Sequence, residues 1–394
     1  MRNRLSFQNV YYLPSGRIFV LKTKGGYTIE CTEMRDVLVG SKLHAKVRTS
    51  QDPKLIWKHL APYKDKWLLT VSTQKGCPHN CQMCDVAPLP FKGNLSQEEI
   101  EDQIRYLLYA TPYAQSNKAK IGFARMGEPA HNIANVLGAI LSLVSGSLDE
   151  NTTGQKWLPC FNSILPRQTI QGLSGQDVLK RVLKFKEVQC NGRLHFQISC
   201  NSTDEEKRKE LFGGADVLTI KKIIDIVNQY DITDRTVTLN FIVMKGVEVD
   251  VKKLMDFGLN PDKFMVKLIP LNETDNAKAN NLETVANYNN YDDLKALADK
   301  FKANGIPVVF DAIAKCEEAG LCCGQLVSAN QKPVQHIKYE IKKVNAFRLP
   351  DTECKKQIGY MVGTEICEQC EYFVAHNEQK RIITCSAVTP NNDD

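Results

Sequence analysis

The run Gly76-Cys77-Pro78-His79-Asn80-Cys81-Gln82-Met83-Cys84-Asp85 sets three cysteines in the spacing Cys-x3-Cys-x2-Cys. A chain built around such a loop must hold it where a metal centre can form. Three thiolates on one short loop can bind three irons of a cubane 4Fe-4S cluster, which leaves the fourth iron without a protein ligand and open to a small molecule. A closed structural zinc site needs four ligands, usually from two Cys-x2-4-Cys pairs. The next cysteine after Cys84 is Cys160, and His79 sits inside the first spacer, where its geometry as a fourth ligand is poor. The loop therefore points to a cluster with one open iron.

The chain has 394 residues and 14 cysteines. That length suits one large domain with extensions, or two domains. No apolar run approaches the roughly 20 residues that cross a bilayer, and Met1-Arg2-Asn3-Arg4-Leu5-Ser6-Phe7 lacks the apolar stretch of a secretory signal. The expectation is a cytoplasmic protein without a membrane partner, whose cysteines serve metal chemistry more than disulfides. The formal net charge of +6 excludes little, but its distribution is informative. Lys42, Lys46, Arg48, Lys54, Lys58, Lys64 and Lys66, with His44 and His59, face only Asp52 and Asp65 in that stretch. It fits either contact with a phosphate backbone or a solvated basic insertion.

β-rich runs at Arg17–Lys22 and Tyr27–Thr32 flank Gly25-Gly26 and predict a β-hairpin. From Trp67 the pattern repeats. A strand at Trp67–Val71 runs into the cysteine loop, and Ser96-Gln97-Glu98-Glu99 forms a capping box for a helix through about Leu108. Strands at Lys120–Ala124, Trp157–Ile164, Leu194–Ser199, Thr236–Met244 and Phe264–Pro270 precede helices around Ile133–Leu143, Val178–Lys186, Ile220–Val227, Val251–Met255 and Tyr291–Phe301. Six βα units imply an α/β fold with a parallel sheet and right-handed crossovers, curved into a partial (β/α)6 barrel. Chemistry in such barrels collects at the C-terminal ends of strands. The expected organisation is residues 1–66 for the hairpin and basic insertion, 67–327 for the barrel, and 328–394 for a small cysteine-rich extension. In that extension Cys354, Cys367, Cys370 and Cys385 include a Cys-x2-Cys pair, which suits a zinc site or a second iron–sulfur cluster.

Met126-Gly127-Glu128-Pro129 follows the second strand of the barrel. Glycine lets backbone approach a ligand closely, and a carboxylate there can accept hydrogen bonds from an ammonium group. Ser199-Cys200-Asn201 ends the fourth strand and Leu268-Ile269-Pro270-Leu271-Asn272 the sixth. Each brings hydroxyl or amide groups to the same rim, with apolar residues behind them.

These residues, with Phe91-Lys92-Gly93-Asn94-Leu95-Ser96, Ile164-Leu165-Pro166-Arg167 and Cys323-Gly324-Gln325-Leu326, resemble the RlmN/Cfr family of radical S-adenosylmethionine (SAM) RNA methyltransferases. The match is collinear from about Gly16 to Leu326. That family methylates an adenine ring carbon in ribosomal RNA and, for some members, transfer RNA. The resemblance implies a 4Fe-4S cluster on Cys77, Cys81 and Cys84 with SAM on its open iron. It implies cofactor contacts from Gly127, Glu128, Cys160, Ser199, Cys200, Asn201 and Asn272, and a flavodoxin- or ferredoxin-type electron donor. One SAM methylates the cysteine matching Cys323. A second yields the 5′-deoxyadenosyl radical, which takes hydrogen from the S-methyl group so that a methylene radical adds to the adenine carbon. Direct polar transfer would fail, because an aromatic amidine carbon is a poor nucleophile. With Val37 to Asp65 read as an insertion, Glu30 aligns with the implied proton acceptor.

Three departures qualify the match. The family's resolving cysteine falls at Thr70, so Cys322, Cys31 or Cys160 substitutes or the reaction differs. A family serine in the third strand falls at Cys160, and the helical N-terminal RNA-binding domain of bacterial members finds no room before the hairpin. The alternative is a radical SAM enzyme that modifies another nucleotide, a peptide or a small molecule, with an auxiliary metal centre in the tail.

Overall fold

In a computed structural model the described residues are 4–13, 16–34, 66–110, 116–148, 155–286 and 291–310, with the backbone of short strands between 346 and 385. Strands β1 (Leu5–Leu13), β2 (Gly16–Thr23) and β3 (Thr28–Met34) form an antiparallel meander. The expected hairpin is β2 and β3; β1 is an addition that the sequence reading did not contain. β3 then pairs antiparallel with β4 (Trp67–Thr70), Thr32 lying opposite Thr70.

From β4 onward each strand pairs in parallel with the next. β5 (Ala119–Gly122), β6 (Trp157–Ser163), β7 (His195–Ser199), β8 (Val237–Val243), β9 (Phe264–Pro270) and β10 (Val308–Phe310) follow in chain order. The result is one ten-stranded sheet in sequential order. The six expected strands are present, and β10 adds a seventh parallel one.

Helices α1 (Gln97–Ala110), α2 (Ile133–Val144), α3 (Gly175–Cys190), α4 (Glu205–Leu211), α5 (Ile220–Val227), α6 (Val251–Asp256), α7 (Asp275–Ala279) and α8 (Asp292–Ala303) lie between the strands. The capping box forms as read: the Ser96 N–H donates to Glu99 Oε2 at 2.9 Å and the Glu99 N–H to Ser96 Oγ at 3.2 Å. α4 and α7 are new; each is shorter than two turns and shows no apolar period.

Alternation along the strands separates two faces. Leu69, Ile121, Phe161, Phe196, Leu239, Val266 and Leu268 are buried in one core with Ile104, Val136, Ile140, Val182 and Ile224 of the helices. The opposite face carries Thr70, Asn162, Gln197, Ser199, Asn240 and Lys267, which are buried or half-buried without joining that core. One face is thus a hydrophobic seal, and the other a mixed lining in which Leu68, Leu158, Ile242, Met265 and Ile269 alternate with the polar residues.

Toward the C-terminus, Phe373–Asn377 pairs antiparallel with Ile382–Cys385, which also pairs with Ala346–Arg348, and Asp351–Glu353 pairs with Met361–Gly363. Cys354, Cys367 and Cys370 lie outside the described residues, as do Cys322, Cys323 and the basic residues from Lys42 to Lys64; Cys385 ends a strand described by its backbone.

Candidate active site

The cysteine loop leaves the C-terminal end of β4 and is held from both sides. Gly76 has φ +78° and lies so close to Pro90 that a Cβ would stand 2.4 Å from its carbonyl oxygen, so the turn into Cys77 admits only glycine. On the far side, the segment that opens α7 clamps the loop backbone. Thr274 Oγ1 donates to the Met83 carbonyl at 3.0 Å, and Asn276 Nδ2 donates to those of Cys81 at 3.0 Å and Cys84 at 3.1 Å. The Asn276 N–H donates to Asp85 Oδ1 at 2.9 Å, and Asn280 Nδ2 reaches the Gln82 carbonyl at 3.2 Å. Sequence reading missed these three residues, although their polar spacing just beyond Asn272 was available as a signal.

Cys77, Cys81 and Cys84 are half-buried. Burial pushes the Cys77 thiol up to about 12, and burial, with the neighbouring Cys84 and Cys77, raises Cys81 well above the ordinary thiol range. Such a group of thiols becomes a group of thiolates when a cation compensates the charge. Among the described residues no three His, Cys, Asp or Glu side chains converge on a single-ion site. Three thiolates from one loop, each able to hold a different iron, match the donor set of a cubane with one open iron, whereas a closed structural zinc site takes four ligands.

The turn after β5 meets this loop directly. Gly127 has φ +97°, and a Cβ there would fall 2.5 Å from the Gln74 side chain. The close approach lets the Glu128 N–H donate to Gln74 Oε1 at 2.7 Å, while the Thr73 N–H donates to the Met126 carbonyl at 2.9 Å. Glu128 is buried and caps the 3-10 turn Pro129–Asn132: Oε1 accepts from the Ala130 N–H at 2.9 Å and from Ser163 Oγ at 2.5 Å, and Oε2 from the Ile164 N–H at 3.0 Å. Burial lifts its carboxyl to about 7 against the opposing pull of these donors. Ser163 was also missed, although it stands immediately before the Ile164-Leu165-Pro166-Arg167 motif.

The remaining rim residues divide. Asn272 Oδ1 is buried and has no hydrogen-bond partner, an acceptor open to a ligand donor. Ser199 is half-buried at the end of β7 on the polar face. Cys200 instead sits in the apolar core with its thiol directed at the Ile198 carbonyl, 3.6 Å away. Asn201 adopts φ +63° and accepts the Ile242 N–H at 3.2 Å, which shapes the turn after β7.

Cys160 lies on the polar face, where it donates to Asn162 Oδ1 at 3.0 Å and accepts from Gln197 Nε2 at 3.1 Å. Its register partner on β5 is Gly122, and Gly122 is the partner of Thr70 on β4. Thr70 hydrogen-bonds the hydroxyl of Thr32. Cys160 is thus the thiol in the same row as Thr70, separated from it by a strand position without a side chain, whereas Cys31 belongs to the apolar core on the other face. Glu30 is fully buried and ion-paired with Arg125, whose Nη2 and Nε lie 2.6 and 2.8 Å from Oε2. The His79 ring is stacked on and hydrogen-bonded to His131.

No family model matches the chain. It is 26% identical over 276 residues to the probable dual-specificity RNA methyltransferase RlmN of Thermus thermophilus, covering 69% of this chain and 71% of that protein. It is 28% identical over 275 residues to the probable RlmN of Phocaeicola vulgatus, covering 69% and 70%. The probable RlmN of Aquifex aeolicus is 27% identical over 232 residues, covering 58% of this chain and 62% of its own. Among solved structures, a radical SAM methyltransferase from Sphaerobacter thermophilus superimposes with a TM-score of 0.58 at 18% identity, covering 82% of this chain and 81% of that one, a likeness of fold. The loop motif, the α/β fold and these relatives agree, and the chain resembles the RlmN/Cfr family of radical SAM methyltransferases.

Proposed function

We propose that the chain is a radical SAM methyltransferase that methylates an adenine ring carbon of RNA, with Cys323 as methyl carrier and the sheet curved into a partial barrel. The observation that carries the reading is the junction of the three-cysteine loop with the Gly127-Glu128-Pro129 turn through Gln74. Relatives named as RNA methyltransferases support the choice of substrate.

A cluster bound here together with SAM would supply one-electron reductive chemistry at the sulfonium. The chain's residues do the rest. Cys77, Cys81 and Cys84 would hold the cluster. Glu128 offers a carboxylate to the SAM ammonium, which compensates the cost of its burial. Asn272 Oδ1 and the Ser199 hydroxyl orient the cofactor from the rim. The segment from Lys42 to Lys66 neutralises RNA phosphates. Electrons come from a flavodoxin- or ferredoxin-type donor in the cytoplasm. Among the described residues no helix is long and apolar enough to cross a membrane.

The test is anaerobic incubation of the reconstituted protein and of Cys323→Ala with RNA and SAM labelled in its methyl group. Wild type should transfer label and carry an S-methyl mark on Cys323 by mass spectrometry; retained transfer by the variant would remove the carrier role.

A further inference from the structure

We propose that His131 is a positioning residue for the cysteine loop: through His79 it holds the Cys77–Cys81 spacer against the turn that carries Glu128. The inference rests on the reading of that loop as a cluster site with SAM on its open iron.

His131 is buried in the turn Pro129–Asn132, three residues beyond Glu128. Its Nε2 lies 2.8 Å from Nε2 of His79, and the two rings stack with centroids 4.8 Å apart and planes 24° from parallel. The backbone N–H of Ile170 donates to His131 Nδ1 at 3.1 Å. That bond fixes the proton inventory. A nitrogen that accepts an N–H carries no proton, so the one proton of the neutral His131 ring is on Nε2 and is given to His79. His79 Nε2 is then the bare acceptor and His79 holds its proton on Nδ1. The order Ile170 N–H to His131 to His79 runs in one direction, with each ring in a defined tautomer.

The chain of bonds ends at the cluster loop. His79 lies between Cys77 and Cys81, and its backbone N–H is directed at the Cys77 sulfur. On the other side, Asn94 Nδ2 donates to the His131 carbonyl at 2.7 Å, and Asn94 Oδ1 accepts from Gln74, the residue that receives the Glu128 N–H. A displaced His131 would therefore move the Cys77–Cys81 spacer and the Glu128 turn relative to each other. Those two segments are the ones that must agree if an iron and a carboxylate are to grip the same amino acid group of SAM.

Three substitutions separate the hydrogen bond from mere packing. His131→Gln keeps a donor at the Nε2 position, His131→Asn keeps only the acceptor near Nδ1, and His131→Leu keeps neither. In the iron-free protein, imidazole 15N shifts should show His131 protonated at Nε2 and His79 at Nδ1; the opposite tautomers would overturn the proposal. In the reconstituted protein, SAM titration followed by EPR of the reduced cluster should show roughly three- to tenfold weaker SAM binding for the Asn and Leu variants at unchanged iron content, with the Gln variant within about twofold of wild type. Wild-type affinity in all three, or equal loss in all three, would overturn it. If wild type itself gives no SAM-induced spectral change, the radical SAM reading falls and this role falls with it, while the nitrogen shifts still decide the His–His pair.

Discussion

Arg125 stands immediately before the Met126-Gly127-Glu128-Pro129 turn, and its guanidinium meets the Glu30 carboxylate in a site where both side chains are almost wholly buried. Removing one partner of such a pair leaves an uncompensated charge, at a cost of about 3–5 kcal/mol. Arg125→Met should therefore destabilise the iron-free chain by that amount in chemical denaturation, and Glu30→Met added to it should restore most of the loss. A double variant no better than the single one would show that Arg125 acts through other contacts. His195 offers a second test. Burial, with Lys120, Lys267, Arg235 and Lys118 around it, depresses its ring to about 2 from 6.5, and its Nε2 lies 3.1 Å from Thr238 Oγ1. A depressed folded value means the unfolded chain binds the proton first, so stability is full above pH 6.5 and is lost as pH falls. Between pH 7 and pH 5 the group should cost wild type about 2 kcal/mol that His195→Gln does not lose, measured by denaturation at both values. Glu30 was legible as a carboxylate of interest; its partner was not, because the pair closes across β3 and the loop after β5, far apart in the chain. His195 was read only as part of a strand, since no local pattern announces which cations other strands bring beside it.

The hairpin, the parallel strands and the capping box at Ser96 were readable because each rests on local periodicity or a fixed spacing. The clamp on the cysteine loop was not, because α7 is a single short helix whose Thr274, Asn276 and Asn280 act as hydrogen-bond donors to carbonyls nearly 200 residues away in sequence. Asn276 alone serves two of the loop's carbonyls. Asn276→Leu should leave helix content unchanged by circular dichroism but lower the iron retained after anaerobic reconstitution and speed its loss to a chelator; unchanged retention would reduce the clamp to decoration. Register also orders the candidates for the resolving role that the family resemblance would place at Thr70. Cys160 shares that row across Gly122 and Cys31 faces the opposite side. Cys160→Ser should lower RNA methylation and Cys31→Ser should not, and full activity in both would leave Cys322 or a different reaction.

Across the whole molecule, the sheet divides its labour by face and by end. Helices seal one face with apolar side chains, and the other face carries polar side chains from Thr70 across to Lys267 among a few apolar ones. The loops that follow β4, β5, β6, β7 and β9 supply Cys77, Glu128, the Ile164 N–H, the region of Ser199 and Asn272 at one end, as parallel strands require. In the proposed site the metal donors lie on one loop, and the tail cysteines Cys354, Cys367 and Cys370 lie outside the described residues. The two readings of the chain differ in stoichiometry. An RNA methyltransferase of the proposed kind needs one cluster, about four irons per chain, whereas an enzyme with an auxiliary cluster on Cys354, Cys367, Cys370 and Cys385 would bind about eight. Reconstituted wild type should contain about four, Cys81→Ala should lose nearly all of them, and Cys367→Ser with Cys370→Ser should leave iron unchanged. Iron that falls by half in the tail variant while SAM cleavage persists would move the assignment to the auxiliary-cluster class. Zinc measured in the same samples then separates a structural role for the tail, which would keep one zinc in wild type and lose it in the tail variant, from free thiols, which would bind neither metal.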